Sequence, residues 1–472
     1  GNASSGGFAA YSFPNLPRAL GGSPDRIFPI NYGVSHFEGN TGHTAGYLWS
    51  NGNAGCIYAG GVLKVVDVMG QPKLQYQSGR PTSGNEERPN NDVFAGSKLF
   101  LCRTGISHWG KGSRLVNTEL ADSGLLANVF GNASIQSAVV VGRTQNPVSN
   151  RFRWGFRFYD SWTLTLLSDL VFRNIQPSPT AGPLPSQDNC VFATMVHSDE
   201  WVPQRMSATA RVFYDNVADS QRFCHDDSGT LSSRNFNFID TDGTATGGAI
   251  AGLPPGPRLV GSAFTSAWRL GPGCSTDPDW NLTVCPLTGT QSVAAVAVTP
   301  KLNTRVSVYD FAGNTLGENW YSTTTEFDAA QLAAPSHLGW HHRFANGIVP
   351  ATVAVWAYQV PANDFVVLSF WLPTGVSCSV NHLGWSQVTG LQALLNSTGA
   401  VYTTDRNACF VRIPRVDNGT FSASGLSIPI QAWQGMSTLS NFTITTGCTS
   451  AIPGCNTAAP MTVPNMAGIV PP

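Results

Sequence analysis

Four groups of side chains in this chain have types and spacings that could do chemistry. Arg151, Arg153 and Arg157 alternate with Phe152, Trp154, Phe156 and Phe158, and Gly155 takes the remaining alternate position. On a strand, guanidinium groups two residues apart are separated by about 6–7 Å, a spacing that could meet phosphates of an anionic partner such as RNA. A solvated sheet face, or one paired with acids on a neighbouring strand, is the favoured alternative. His337, His341, His342 and His382 form the histidine cluster. A metal site needs such nitrogens to converge at about 2 Å from the ion. Pro335 and Gly339 argue against a helix that would present them, so partly exposed loop histidines beside Trp340 are expected. Asp240-Thr241-Asp242-Gly243 resembles the start of a calcium loop, but Thr244, Ala245, Thr246, Gly247 and Gly248 follow where acidic ligands should come, and a turn is expected. His225-Asp226-Asp227 has acid/base types and reads more simply as a polar loop.

The motifs G-x-S-x-G, H-E-x-x-H, G-x-x-x-x-G-K-S/T and G-x-G-x-x-G are all absent. No catalytic, metal-binding or cofactor-binding residue is therefore assigned, and no cofactor is expected.

The element that organises the rest is the stretch 151–158 itself. Aromatics on every second residue fit a strand with one aromatic and one basic face, since a helix would scatter them around its axis. Tyr159-Asp160-Ser161 punctuates it, and Trp162–Leu166 with Leu170–Phe172 follows, so a hairpin over 151–172 is expected with Phe152, Trp154, Phe156 and Phe158 buried.

Further strands are read at 56–68 (with a bulge at Gly60-Gly61 and Gln71–Tyr76 pairing back), 97–103, 135–143, 191–196 and 205–214. Runs apolar on both faces at 293–298, 353–360 and 365–372 suit fully covered strands. Helix candidates are few: 117–129 with Asn117 or Thr118 as cap, 325–334 capped by Thr325 and ended by Pro335, and 391–395. The Pro/Gly-rich stretch 240–258 is the expected division between a first β domain (25–240) and a second (259–447). Residues 1–24 and 448–472 lack pattern and read as extended N- and C-terminal arms.

Composition supports an all-β protein with many turns: of 472 residues, 49 are Gly and 31 Pro, and only 12% are charged. A net charge of −1 supplies no global field for nucleic acid or an anionic membrane. No apolar run is long enough to span a bilayer, and 353–372 is broken by Pro361, Asn363 and Asp364. The chain opens at Gly1 without an initiator Met or a leader, as a fragment or a processed product would. Ten cysteines include two close pairs, Cys274 with Cys285 and Cys448 with Cys455. They read equally as local disulfides of an oxidising compartment or as buried thiols. N-x-S/T sequons stand at Asn2, Asn132, Asn281, Asn396, Asn418 and Asn441. Chance alone would supply about five in a chain this rich in Asn, Ser and Thr, so their number decides nothing.

An all-β body of two or more sandwich or jelly-roll domains, few charges, arms at both ends and a Gly terminus resemble jelly-roll capsid proteins of small non-enveloped RNA viruses. That resemblance implies a self-assembling, non-enzymatic shell subunit of a virion, with arms on neighbouring copies. Its partners would be genomic RNA met by the arginine face, and a host receptor or glycan. The absence of an Arg/Lys-rich N-terminal arm departs from the pattern. The alternative is a secreted β-rich glycoprotein that binds or hydrolyses carbohydrate, with the 13 Trp as stacking platforms.

Overall fold

In the computed structural model the chain is described throughout except at 16–33, 35, 47–54, 70, 78–91, 110–112, 131–132, 147–153, 159–164, 178–188, 195–206, 226–236, 249, 251–254, 263–273, 281, 287–290, 300–303, 310–314, 322–328, 336–339, 345–348, 350, 359–364, 415–419, 424–425, 430–440, 450–451, 453–454 and 456–472. The all-β expectation holds: the one α-helix among the described residues is Leu391–Leu395.

The first half differs from the expected sandwich. Up to about residue 240 the chain alternates between two sheets whose pairing is almost entirely parallel. One is straight and takes Ala9–Asn15, Gly55–Val68, Ile106–Trp109, Leu125–Phe130, Trp154–Phe158, Cys190–Thr194 and Phe223–His225 in sequence order. The other takes the intervening strands, among them Ala133–Val141, Thr165–Ile175 and Ser207–Val217. A chain that returns to each sheet one strand further along is a coil of stacked rungs, the arrangement of a parallel β-helix.

The second sheet turns a corner within each rung. Ser137, Asp169 and Arg211 lie mid-strand at φ 57°, 57° and 54°. Their flanking residues pair in register, Gln136 with Ser168 and Ser168 with Ala210. Gly39, Gly96 and Asn117 hold the same place in earlier rungs, at φ 66°, 58° and 54°. A second column of left-handed residues stands at or one residue before the strand ends, at Thr44, Leu101, Asp122, Asn174 and Asn216. Such φ values cost a residue with a side chain about 1–2 kcal/mol, so the stack must outweigh a repeated local penalty.

Packing between the sheets is columnar. Ile57, Ile106, Ala127, Phe156, Phe192 and Phe223 are register partners from rung to rung and all are buried. Leu99, Leu120, Val140 and Phe172 form the matching column of the bent sheet. Phe172 meets Phe192 edge-on, with ring centroids 5.4 Å apart.

Several expectations need correction. The stretch 151–172 is no hairpin: Trp154–Phe158 belongs to the straight sheet and Thr165–Ile175 to the bent one, each paired parallel with other rungs. Trp154 and Phe156 are buried as expected; Phe152 lies outside the described residues. The helix expected at 117–129 is two strands, Glu119–Ala121 and Leu125–Phe130, because left-handed corners at Asn117 and Asp122 bracket the first of them and interrupt a helical path. The helix expected at 325–334 is replaced by the strand Ala329–Pro335, hydrogen-bonded antiparallel to Gln291–Thr299. The described part of the expected N-terminal arm, residues 1–15, is not an arm: Ala3–Ser5 and Ala9–Asn15 are the first strands of this chain's own stack, and Tyr11 and Phe13 contact Phe37, while 16–24 lie outside the described residues. Across 240–258 the sheet continues, Asn237–Asp240 pairing antiparallel with Arg258–Ser262.

From residue 291 onward, two mostly antiparallel sheets share a second core. Val353, Val355 and Ile444 from one meet Val366, Leu368, Phe370 and Val411 from the other. In the described part of 448–472, Cys448, Ile452 and Cys455 pack on this core.

Two stability outcomes follow. Phe172→Ala should cost about 3–5 kcal/mol in urea unfolding, the loss of a fully buried ring. Ser137→Gly should be tolerated while Ser137→Val destabilises, because only the β-branched residue resists φ 57°. Equal stability of the two Ser137 variants would show that the corner is not left-handed.

Candidate functional site

Charge on the stack is arranged by the same register. Arg173 lies opposite Asp215, with Nε to Oδ2 at 3.1 Å. Lys98 lies opposite Glu119, at 3.5 Å. At the corner, Arg211 grips Asp169 with two bonds, Nε to Oδ1 at 2.6 Å and Nη2 to Oδ2 at 3.1 Å. The Arg211 hydrogen bond is the chief influence holding the Asp169 carboxyl below its usual range. These groups are about half exposed, so each pair contributes at most about 1 kcal/mol. The flank is therefore charged but locally neutral, with Phe213 standing out of it at 61% exposure. Beside it, Asn216 Nδ2 donates to Asn174 Oδ1 at 2.9 Å, and Gln176 Nε2 donates to Asn216 Oδ1 at 3.2 Å, a ladder of amides along the second corner.

Of the arginines singled out by spacing, Arg157 lies in the strand Trp154–Phe158, while Arg151 and Arg153 lie outside the described residues. Gly155, between them in the pattern, is buried: a Cβ there would stand 2.7 Å from the Phe172 ring and 2.8 Å from the Val191 carbonyl oxygen. His225 ends the strand Phe223–His225, and Asp226 and Asp227 lie outside the described residues.

The densest polar cluster closes the far end of the stack. Asp240 Oδ2 accepts the Thr246 N–H and hydroxyl, both at 2.8 Å. Arg258 is the cross-strand partner of Asp240 and donates through Nη1 to Thr246 Oγ1 at 2.7 Å and through Nη2 to the Gly248 carbonyl. Asp242 accepts the Thr244 hydroxyl at 2.6 Å and the Arg211 N–H at 2.8 Å. Tyr214 donates its hydroxyl to the Ala245 carbonyl at 2.6 Å, with Arg222 over its ring.

Burial raises the Asp240 carboxyl. Burial pushes Asp242 up as well, but its hydrogen bonds from Thr244 and the Arg211 N–H outweigh that and leave it below its usual value. Burial also pushes the Tyr214 hydroxyl well up. The segment is the expected turn, and its carboxylates are engaged by donors of its own loop and sheet. Arg222 and Arg258, which complete it, carry no local pattern in the sequence; only folding brings them to Thr246.

The histidines are not loop residues. His341 and His342 lie in the strand Trp340–Phe344 and both are fully buried. Adjacent strand residues face opposite sides, so burial of both means that the sheet is covered on each face. His341 Nδ1 lies 2.6 Å from Ser369 Oγ, and His342 Nδ1 lies 3.2 Å from the Ser369 carbonyl oxygen. A carbonyl only accepts, so neutral His342 carries its proton on Nδ1. His342 also stacks on Phe370 at 5.0 Å. Neither Nε2 has a hydrogen-bond partner. His382 sits apart, half-buried in a turn, and His337 lies outside the described residues. Burial lowers His341 to about 4 and His342 to about 3. The Ser369–His341 contact has the elements of a nucleophile and base, but full burial makes it part of the packing.

All ten cysteines are paired: Cys56–Cys102, Cys190–Cys224, Cys274–Cys285, Cys378–Cys409 and Cys448–Cys455. Cys190–Cys224 joins neighbouring strands of the straight sheet, and Cys378–Cys409 ties together the two sheets of the second half.

No protein-family model matches the chain. It is similar to a G8 domain-containing protein of Dictyostelium discoideum, 32% identical over 470 residues that cover 92% of this chain and 32% of the relative. It is also similar to communication mutant protein F of the same organism, at 30% identity with 92% and 41% covered. A third similar protein there is protein rliB, at 32% identity with 88% and 39% covered. The chain thus spans about a third to two fifths of the length of these curated relatives.

These likenesses overturn the capsid expectation. The similar proteins belong to a cellular organism and none is named as a virion protein. The closed shell, and genomic RNA as its content, go with that reading. The carbohydrate alternative gains no support from the relatives' names either.

The buried histidines make acid stability testable. Their folded values lie below the ordinary 6.5, so between about 6.5 and about 3 to 4 the unfolded chain binds more protons than the folded one. Stability is then complete above pH 6.5 and falls as pH drops below it. Urea midpoints at pH 7.5 and 5 should differ, and His342→Phe should flatten that dependence. An unchanged pH slope in the variant would remove His342 as its source.

Proposed function

We propose that this chain is a non-enzymatic scaffold module of a longer protein that is secreted or displayed at the cell surface. Its role is to hold a long, rigid, locally neutral flank for contact with other macromolecules. The observation that carries this is the complete pairing of the ten cysteines. Disulfides form and persist in oxidising compartments, and a cytosolic chain would keep its thiols reduced.

The placement of the bonds supports the same reading. They brace the first rungs, the later rungs, the closing strands and the antiparallel sheets of the second half, with separations from 7 to 46 residues. A disulfide typically contributes about 2–4 kcal/mol, so the set matters for a fold that accepts a left-handed corner in rung after rung. The relatives' names describe a domain rather than a reaction, in keeping with a scaffold. No helix among the described residues is long and apolar enough to cross a membrane.

Thiol titration under denaturing conditions tests the reading. Protein made through a secretory route should show no free thiol until reductant is added. Reduction should then lower the melting temperature by well over 10 °C, given about 4–8 °C per kcal/mol for small domains and half that for larger ones. Free thiols in the folded protein as isolated, or an unchanged melting temperature after complete reduction, would contradict it.

A further inference from the structure

The number of sequons is near the chance level, so only structure can distinguish a usable one. A glycan on Asn survives folding only where the side-chain amide points into solvent. The acceptor also needs a Ser or Thr hydroxyl two residues on.

The side chains of Asn2 and Asn396 are described and both are exposed, but the Asn2 amide nitrogen lies 3.5 Å from Asn40 Oδ1. Asn2 is tied into the first rung: its N–H donates to Asn40 Oδ1 at 2.9 Å, and its carbonyl accepts the Thr41 N–H at 2.8 Å and the Tyr11 hydroxyl at 2.7 Å. Asn441 begins a strand flanked on both sides in its sheet, opposite Trp356. Asn132, Asn281 and Asn418 lie outside the described residues.

Asn396 is different. It caps the C-terminal end of the helix Leu391–Leu395, whose Leu391, Leu394 and Leu395 are buried, while Asn396 and Thr398 are exposed. Gln392 Nε2 donates to Asn396 Oδ1 at 3.1 Å, which engages the oxygen of the amide and not its nitrogen. The turn beyond it is braced: Ser397 N–H donates to the Leu394 carbonyl at 3.3 Å and Gly399 N–H to Ser397 Oγ at 3.2 Å. Arg412, itself buried over the Phe365 ring, donates to the Gly399 carbonyl at 2.9 Å. An ordered, outward turn therefore presents an asparagine amide and, two residues on, a threonine hydroxyl.

We propose that Asn396 is an N-glycosylation site, an inference that rests on the secretory reading above. In the transfer, Asn396 Nδ2 bonds to the anomeric carbon of a lipid-pyrophosphate-linked oligosaccharide and loses one proton. The bond from that carbon to the phosphate oxygen breaks, and the lipid pyrophosphate leaves with the electron pair. No oxidant or reductant takes part. The folded chain accommodates the product because the amide faces solvent on the side opposite the buried leucines.

The test is expression of the whole chain through a eukaryotic secretory pathway, followed by enzymatic release of N-glycans and peptide mapping. Release converts a glycosylated asparagine to aspartate, and the peptide carrying residue 396 should show that change. Asn396→Gln and Thr398→Ala should each lose one glycan's worth of gel shift, whereas Thr398→Ser should keep it. The melting temperature of unglycosylated Asn396→Gln should match that of the enzymatically deglycosylated parent, which separates loss of the site from misfolding. A chain with five intact disulfides but unmodified Asn396 overturns the site and leaves the secretory reading standing. A chain isolated with free thiols and no glycan overturns both.

Discussion

Rung-on-rung parallel hydrogen bonding is the constraint on which the first half of this protein depends. Parallel pairing in register sets each residue beside its counterpart in the next rung, so side chains form columns rather than an interleaved core. The column from Ile57 to Phe223 and that from Leu99 to Phe172 show the consequence. Apolar residues of different size can share a column because neighbouring rungs compensate: small Ala127 sits between Ile106 and Phe156. The same register aligns the corners. Once one rung turns through a left-handed residue, the next must turn at the same height or lose its hydrogen bonds. This explains how Arg211, a poor residue for that conformation, comes to occupy it beside the more tolerant Asp169. Their ion pair is a by-product of alignment, since the corner places a carboxylate beside a guanidinium.

A stack of parallel strands has two ends, and open edges invite further pairing. At the beginning, Tyr11, Phe13, Phe37 and Phe94 meet edge to face. At the far end the strand direction reverses, with Asn237–Asp240, Arg258–Ser262 and Leu282–Pro286 pairing antiparallel. The Asp240–Thr246–Arg258 network sits at that reversal. A buried carboxylate and guanidinium are costly unless their donors and acceptors are met. Here one threonine hydroxyl donates to the first and accepts from the second. Phe223 and Trp280, 4.7 Å apart, place apolar surface below it.

The second half follows a different principle. Two mostly antiparallel sheets close on a shared core, and the Cys378–Cys409 bond spans them. Burial of His341 and His342 on opposite faces of one strand marks a sheet that is covered on both sides. In that setting the imidazoles stay neutral and pack as aromatics.

What the sequence determined by itself was the all-β character and the position of those strands whose alternation or apolar run is local. Alternation in Trp154 to Phe158, the apolar runs at 293–298 and 365–372, the hairpin of Gly55–Val68 with Gln71–Gln77, and the short helix at 391–395 are local signals and sit where those signals place them. The Asp240–Gly243 turn was legible for the same reason. Tertiary structure decided the rest. A two-residue alternation is identical in parallel and antiparallel strands, so nothing within 151–172 could show that its two strands belong to different sheets. The rungs are joined by connections of unequal length, so no fixed repeat betrays the stack. Corners at Ser137, Asp169 and Arg211 lack the glycine that would announce them, because register rather than residue preference holds them. The histidines look like loop residues until their strand pairs with that of Ser369, and while the close pairs Cys274–Cys285 and Cys448–Cys455 were visible in the spacing, Cys56–Cys102, Cys190–Cys224 and Cys378–Cys409 join residues 31 to 46 apart that only the fold brings together. Each of these depends on non-local partners, which a local pattern does not encode.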